Sequence, residues 1–130
     1  MDTRTLHEAM PLAATLGAVL LAASAERVAL RVEWRAELCT ADGILHGGAL
    51  MALADAAGGL CAYLNLPPDA TGTATIESKT NFLRAVRSGA VTATATPLHV
   101  GRRTIVVDTE LRDDENRLVT RTTQTQAALS

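Results

Sequence analysis

Gly47-Gly48-Ala49-Leu50-Met51-Ala52-Leu53-Ala54-Asp55-Ala56-Ala57-Gly58-Gly59-Leu60-Cys61-Ala62-Tyr63-Leu64-Asn65-Leu66 is the stretch that decides the fold. It is rich in Ala, Leu and Met and ends at Asn65 before Pro67-Pro68, a pair no helix continues through. Leu50, Met51, Leu53, Ala54, Ala57, Leu60, Cys61, Ala62 and Leu64 leave no broad polar face, so the spacing predicts one long helix buried nearly all round. Gly58-Gly59 each cost about 1 kcal/mol within a helix, which suits close approach to a sheet or a partner backbone. Asp55 is the anomaly. A carboxylate among alanines and leucines is expensive unless hydrogen-bonded, which leaves a structural anchor or a catalytic group as its two readings.

On either side of this helix the chain reads as strands. Gly17 to Ser24 and Val28 to Trp34, joined by Ala25-Glu26-Arg27, form a hairpin after a short helix from Pro11. Thr73 to Leu83, Ala90 to Val100, Thr104 to Arg112 and Leu118 to Ala128 are Val/Thr-rich and separated by polar or Gly-containing turns. The expected order is hairpin, helix, then a four-strand meander. One helix inserted into a run of strands indicates an α+β fold with an antiparallel sheet of about six strands.

Composition narrows the function. The chain has 130 residues, suited to a single domain over 1–130, with 48% hydrophobic and 20% charged residues and a net charge of −2. No basic excess points to nucleic acid. Cys39 and Cys61 form no metal or redox motif and read as reduced thiols of a cytoplasmic protein. The apolar run Pro11 to Ala23 is too short to span a membrane, and its leader is too weakly cationic for a signal peptide. No cofactor or metal site is expected.

Chemistry is sought where Gly43-Ile44-Leu45-His46-Gly47-Gly48 delivers two glycines to the helix start. Free N–H groups and the positive dipole end there favour developing negative charge, as an oxyanion hole requires. The plainer reading is a tight turn with a capping His46. Gly47 and Asp55 are eight residues apart. On one helix that is about 12 Å, too far for both to reach one carbonyl group. Either they serve different purposes or Asp55 acts with a second copy of the chain, across a two-fold axis that sets helices antiparallel.

Together with Leu53-Ala54-Asp55, Thr80-Asn81-Phe82-Leu83-Arg84 and His99-Val100-Gly101-Arg102, the glycine loop resembles the hotdog-fold thioesterases of the PaaI type, related to 4-hydroxybenzoyl-CoA thioesterases. The resemblance implies a helix wrapped by a curved antiparallel sheet, a homodimer usually paired into a homotetramer, and hydrolysis of an acyl-CoA substrate. It implies Gly47 as the oxyanion donor, His46 and Gly48 shaping that turn, and Asp55 of the facing subunit as base or nucleophile. Thr75, with Thr73 second, would orient the water or carboxylate. Thr40 stands where the family commonly has Asn or Gln, and Ala85 where it often has Pro. Thr40 and Asn81 are candidates for the substrate. For the CoA phosphates the candidates are Arg84, Arg87, Arg102 beside Gly101, and Arg103. An aryl- or phenylacetyl-type acyl group would fit small residues such as Ala54, Gly58 and Gly59. The alternatives are a non-catalytic acyl-CoA-binding sensor and, more remotely, a dehydratase on the same fold.

Overall fold

The computed structural model describes residues 1–130. Its amino-terminal part holds two short helices, α1 (Thr3–Ala9) and α2 (Pro11–Leu16), and the hairpin β1 (Val19–Ala23) and β2 (Val28–Glu33). The long helix α3 (Gly47–Tyr63) is followed by β3 (Gly72–Phe82), β4 (Ala90–Val100), β5 (Thr104–Asp113) and β6 (Leu118–Leu129). Every strand pairing is antiparallel, and the sheet order is β1-β2-β4-β5-β6-β3.

This order corrects the expected four-strand meander. Only β4, β5 and β6 run as one, because β4 pairs with β2 on its other side and β3 pairs with β6 at the far edge. The physical reason lies in α3. It carries the chain from β2 across the concave face of the sheet, touching β2, β3, β4, β5 and β6, so the strand after it emerges beyond β6. The result is a hotdog fold, one helix wrapped by a curved antiparallel sheet.

The core forms between α3 and the sheet. Leu53, Leu30, Ile105, Val107 and Leu111 belong to a single apolar cluster and are almost wholly excluded from solvent. Each such side chain contributes about 1.5–3 kcal/mol through burial. The helix is not buried all round, however. Gly48, Asp55 and Tyr63 are exposed and Ala52, Ala56 and Gly59 half-buried, so one stripe is open within the chain. Period alone missed this stripe because, Asp55 and Tyr63 apart, its residues are small rather than polar and carry little hydrophobic contrast with the core face.

The amino-terminal helices close one end of the barrel-like wrap. α1 is anchored to edge strand β1 by the Leu20 N–H, which donates to Thr3 Oγ1 at 3.0 Å, and by His7 Nε2, 2.6 Å from the Ala18 carbonyl. Leu6 is fully buried beneath it. At the other edge, β3 is eleven residues long and carries a bulge between Thr75 and Glu77. The bulge resets the alternation. Thr75 lies over the helix before it and Thr80 points inwards after it, where its hydroxyl meets that of buried Thr122 at 2.8 Å.

Candidate active site

At its amino-terminal end α3 is capped by His46, whose Nδ1 accepts the Gly48 N–H at 2.7 Å. That bond occupies one of the free donors of the first turn and assigns the neutral ring's hydrogen to Nε2. The Gly47 N–H has no acceptor within the chain. The loop before it is firmly held, which gives that donor a defined direction. Trp34 Nε1 donates to the Gly43 carbonyl at 2.9 Å, Leu45 N–H to Val86 at 2.9 Å and His46 N–H to Leu38 at 2.8 Å. A side chain at Gly47 would come within 3.0 Å of the Phe82 ring. Gly47 opens into a cavity of about 420 Å³ lined also by Thr40, Ile44, Leu45, Phe82, Leu83 and Arg84.

Two turns further along, Asp55 stands in a different setting. Thr75 Oγ1 donates to Asp55 Oδ1 at 3.0 Å, and Gln124 Nε2 donates to the same oxygen at 3.1 Å. Gln126 Nε2 in turn donates to Thr75 Oγ1 at 2.7 Å, which orients that hydroxyl towards the carboxylate. Both anchors fall on Oδ1, which leaves Oδ2 without a hydrogen bond within the chain. Gln124 and Gln126 are both essentially fully buried. Asp55 lines a second cavity of about 420 Å³ with Leu6, Met10, Gly59, Tyr63, Thr73 and Thr75. The two cavities share no residue.

The two glutamines escaped sequence reasoning. They sit in the alternation of Thr120, Thr122, Gln124 and Gln126 on β6, where inward-facing polar residues look like an outward face read in the wrong register. The glycine pair held the one available signal. A Cβ at Gly58 would run into the Gln124 side-chain oxygen, so Gly58 makes room for an amide that supports Asp55. At Gly59 a Cβ would meet nothing within 4 Å. Ala54 is wholly buried in the core and opens onto neither cavity.

The remaining candidates separate. Thr40 and Arg84 join Gly47, whereas Thr73 shares the cavity of Asp55 without bonding to it. Arg102 and Arg103 lie by a third cavity with Pro67, Asp69 and Ala128, apart from either group. Gly101 is a turn residue whose N–H donates to the Thr104 carbonyl at 2.9 Å. Asn81 is exposed on β3 opposite Arg121 and enters neither cavity, and Arg87 lines a polar cleft beside Asp113 and Asp114. Burial pushes the Cys61 thiol up to about 11, so it is protonated at neutral pH.

The fold thus sets an open N–H donor at the start of its central helix and a hydrogen-bonded carboxylate further along it. Residues 42–120 match the family model of the thioesterase superfamily, and the chain belongs to that superfamily. Of the curated relatives, Vibrio cholerae VC_A0580, which carries a provisional esterase name, is 42% identical over 59% of this chain and 51% of its own length. The chain thus aligns with about half the length of the first curated relatives it matches. Among solved structures, the thioesterase HI1161 of Haemophilus influenzae is 28% identical with a TM-score of 0.91, covering 100% of this chain and 92% of that one. Escherichia coli PaaI, from the phenylacetic acid degradation operon, shares the fold at 21% identity, with a TM-score of 0.87 over 99% of this chain and 91% of that one. No helix is long and apolar enough to cross a membrane.

Proposed function

We propose that the chain is an acyl-CoA thioesterase in which each active centre takes its oxyanion hole from one subunit and its carboxylate from another. One observation carries this reading. The free Gly47 N–H and the supported Asp55 carboxylate lie on one helix but open into two cavities without a common residue. A thioester carbonyl polarised by Gly47 is therefore out of reach of the same chain's Asp55.

The edge strand β3 supplies a way to bring the halves together. Its outer edge is unpaired and long, a ready template for a second strand. One end of β3 lines the Asp55 cavity through Thr73 and Thr75, and the other lines the Gly47 cavity through Phe82. Antiparallel pairing of β3 with its own copy sets these ends against each other, so the Asp55 cavity of one subunit faces the Gly47 cavity of the partner. A dimer is the smallest active unit, and pairing of dimers into a tetramer leaves this arrangement intact.

In the reaction, the thioester oxygen accepts the Gly47 N–H and gains charge there as the tetrahedral intermediate forms. Asp55 Oδ2 either takes a proton from an attacking water or attacks the carbonyl carbon itself, giving an anhydride that water hydrolyses. In both routes the C–S bond breaks, CoA leaves with a proton on sulfur, and the free acid is released. Thr75, Gln124 and Gln126 hold the carboxylate and do not touch the reacting atoms. Label in Asp55 after a single turnover in ¹⁸O-labelled water would identify the anhydride route, with water attacking the Asp55 carbonyl carbon of the anhydride.

The shared-site reading is tested by mixing two inactive proteins, Asp55→Asn and Gly47→Pro. Proline fits the first helical position and removes the N–H, and His46 before it already has the extended φ −63, ψ 134 that a pre-proline residue prefers. Mixed dimers then contain one intact centre, and an equimolar mixture should recover about a quarter of wild-type turnover. No recovery, with exchange of subunits demonstrated, would sink the arrangement. A wild-type protein that binds CoA esters and leaves them uncleaved would instead make the domain a sensor.

A further inference from the structure

Resting on the thioesterase reading, we infer that the cavity beside Asp55 holds the acyl group, that this group is uncharged and apolar, and that Gly59 sets how much of it fits. Three observations converge. The cavity is lined by apolar side chains, Met1, Leu6, Met10, Leu60 and Tyr63 among them, and no Lys, Arg or His side chain lines it. Its one acidic side chain is Asp55, so a carboxylate at the far end of the acyl group would meet like charge and no cationic side chain. The Gly47 cavity is the one with a cation, Arg84, which orients the phosphate-bearing CoA end to that side and the acyl end to this one.

The volume of about 420 Å³ lies in the range of pockets that enclose small ligands. Its wall is partly built by the amino-terminal helix α1, and Met10, unbranched and adaptable, is suited to moulding around differing chains.

Gly59 gives the inference its edge. A glycine within a helix weakens it, and none of the usual structural reasons applies here. The backbone is not in the left-handed region, and no atom lies within 4 Å of where a Cβ would be. What a side chain there would occupy is the cavity itself. Gly59 is thus a specificity-determining position, in contrast to its neighbour Gly58, which is filled by the Gln124 amide.

The experiment compares kcat/KM for acetyl-, octanoyl-, benzoyl- and succinyl-CoA in the wild type and in Gly59→Ala and Gly59→Leu, alongside melting temperature and sedimentation. Octanoyl- or benzoyl-CoA should exceed succinyl-CoA in the wild type. Gly59→Leu should lower the octanoyl-to-acetyl ratio by about tenfold or more. Gly59→Ala should melt no lower than the wild type and should shift the ratio in the same direction. A preference for succinyl-CoA, or a ratio unmoved by Gly59→Leu in a folded protein, would overturn the inference while leaving the thioesterase intact. Loss of the oligomer in Gly59→Ala would also overturn it, by assigning the glycine to the subunit interface. Absence of hydrolysis of every ester by the wild type would instead strike the proposed function.

Discussion

The two ends of α3 differ in how they are held. At Gly47 the proposed functional group is a backbone N–H, aimed by a loop whose own hydrogen bonds run to Trp34, Val86 and Leu38. At Asp55 it is a side chain, aimed by three others from β3 and β6. The first end can be damaged only by removing or displacing main chain. The second can be damaged at one remove further, because Thr75, one of the two partners of Asp55, is itself held by Gln126. A centre assembled from both would combine a rigid electrostatic hole with a tunable carboxylate.

The sharpest way to break this comparison is at Asp55. Asp55→Asn keeps the shape and the bond from Thr75 and removes the base or nucleophile, and kcat should fall by about 10³-fold or more in a protein that still sediments as wild type. Gly47→Pro deletes the N–H, adds a Cβ against Phe82 as Gly47→Ala does, and should cost about 10²- to 10³-fold in kcat. Gly47→Ala keeps the donor and nudges Phe82, so a milder loss is expected. Equal losses in the Pro and Ala variants would mean that space, not the N–H, matters at that end.

The supports of Asp55 come next in size. Gln124→Met is close to isosteric, and Gln124 Oε1 is buried without a hydrogen-bond partner, so removing the amide relieves an unsatisfied group. Melting temperature should hold or rise while kcat falls by about tenfold or more, with KM little changed. A fall in stability that tracked the fall in activity would reduce Gln124 to a packing residue. Gly58→Ala attacks the same amide from the helix side. Its added methyl meets the Gln124 oxygen, and the overpacking cost of about 1–3 kcal/mol should outweigh the helix propensity gained. Chemical denaturation would read that loss.

The smallest effect belongs to Cys61, which lies on the same helix between the two glycines and its end. With its thiol pushed up to about 11 by burial, Cys61→Ala should leave turnover as it is, and iodoacetamide should not inactivate the wild type at neutral pH. Inactivation by the reagent, with Cys39 replaced, would reopen a cysteine mechanism.

Much of this was legible before any coordinates. The helix over Gly47 to its stop before Pro67-Pro68, the six strands and the conflict between Gly47 and Asp55 follow from local propensity and from a fixed rise per residue. Thr75 was a candidate from resemblance, and its hydroxyl does lie on Asp55. Sequence cannot say which strand neighbours which, because pairing partners β3 and β6 are joined only through the two strands between them in the chain. Nor can it reveal a bulge such as that between Thr75 and Glu77, which reverses the inward phase of the strand without changing its composition.

Sequence by itself determined that a carboxylate and a glycine-rich helix start sit on one helix, too far apart to serve one carbonyl group, because helical geometry is local and nearly invariant. Tertiary structure alone decided that Asp55 is steadied by Gln124 and Gln126, and that Gly58 is filled while Gly59 stays open. These contacts span up to 69 residues of chain and depend on the register of β6 against the helix, which only the packing of the whole core establishes.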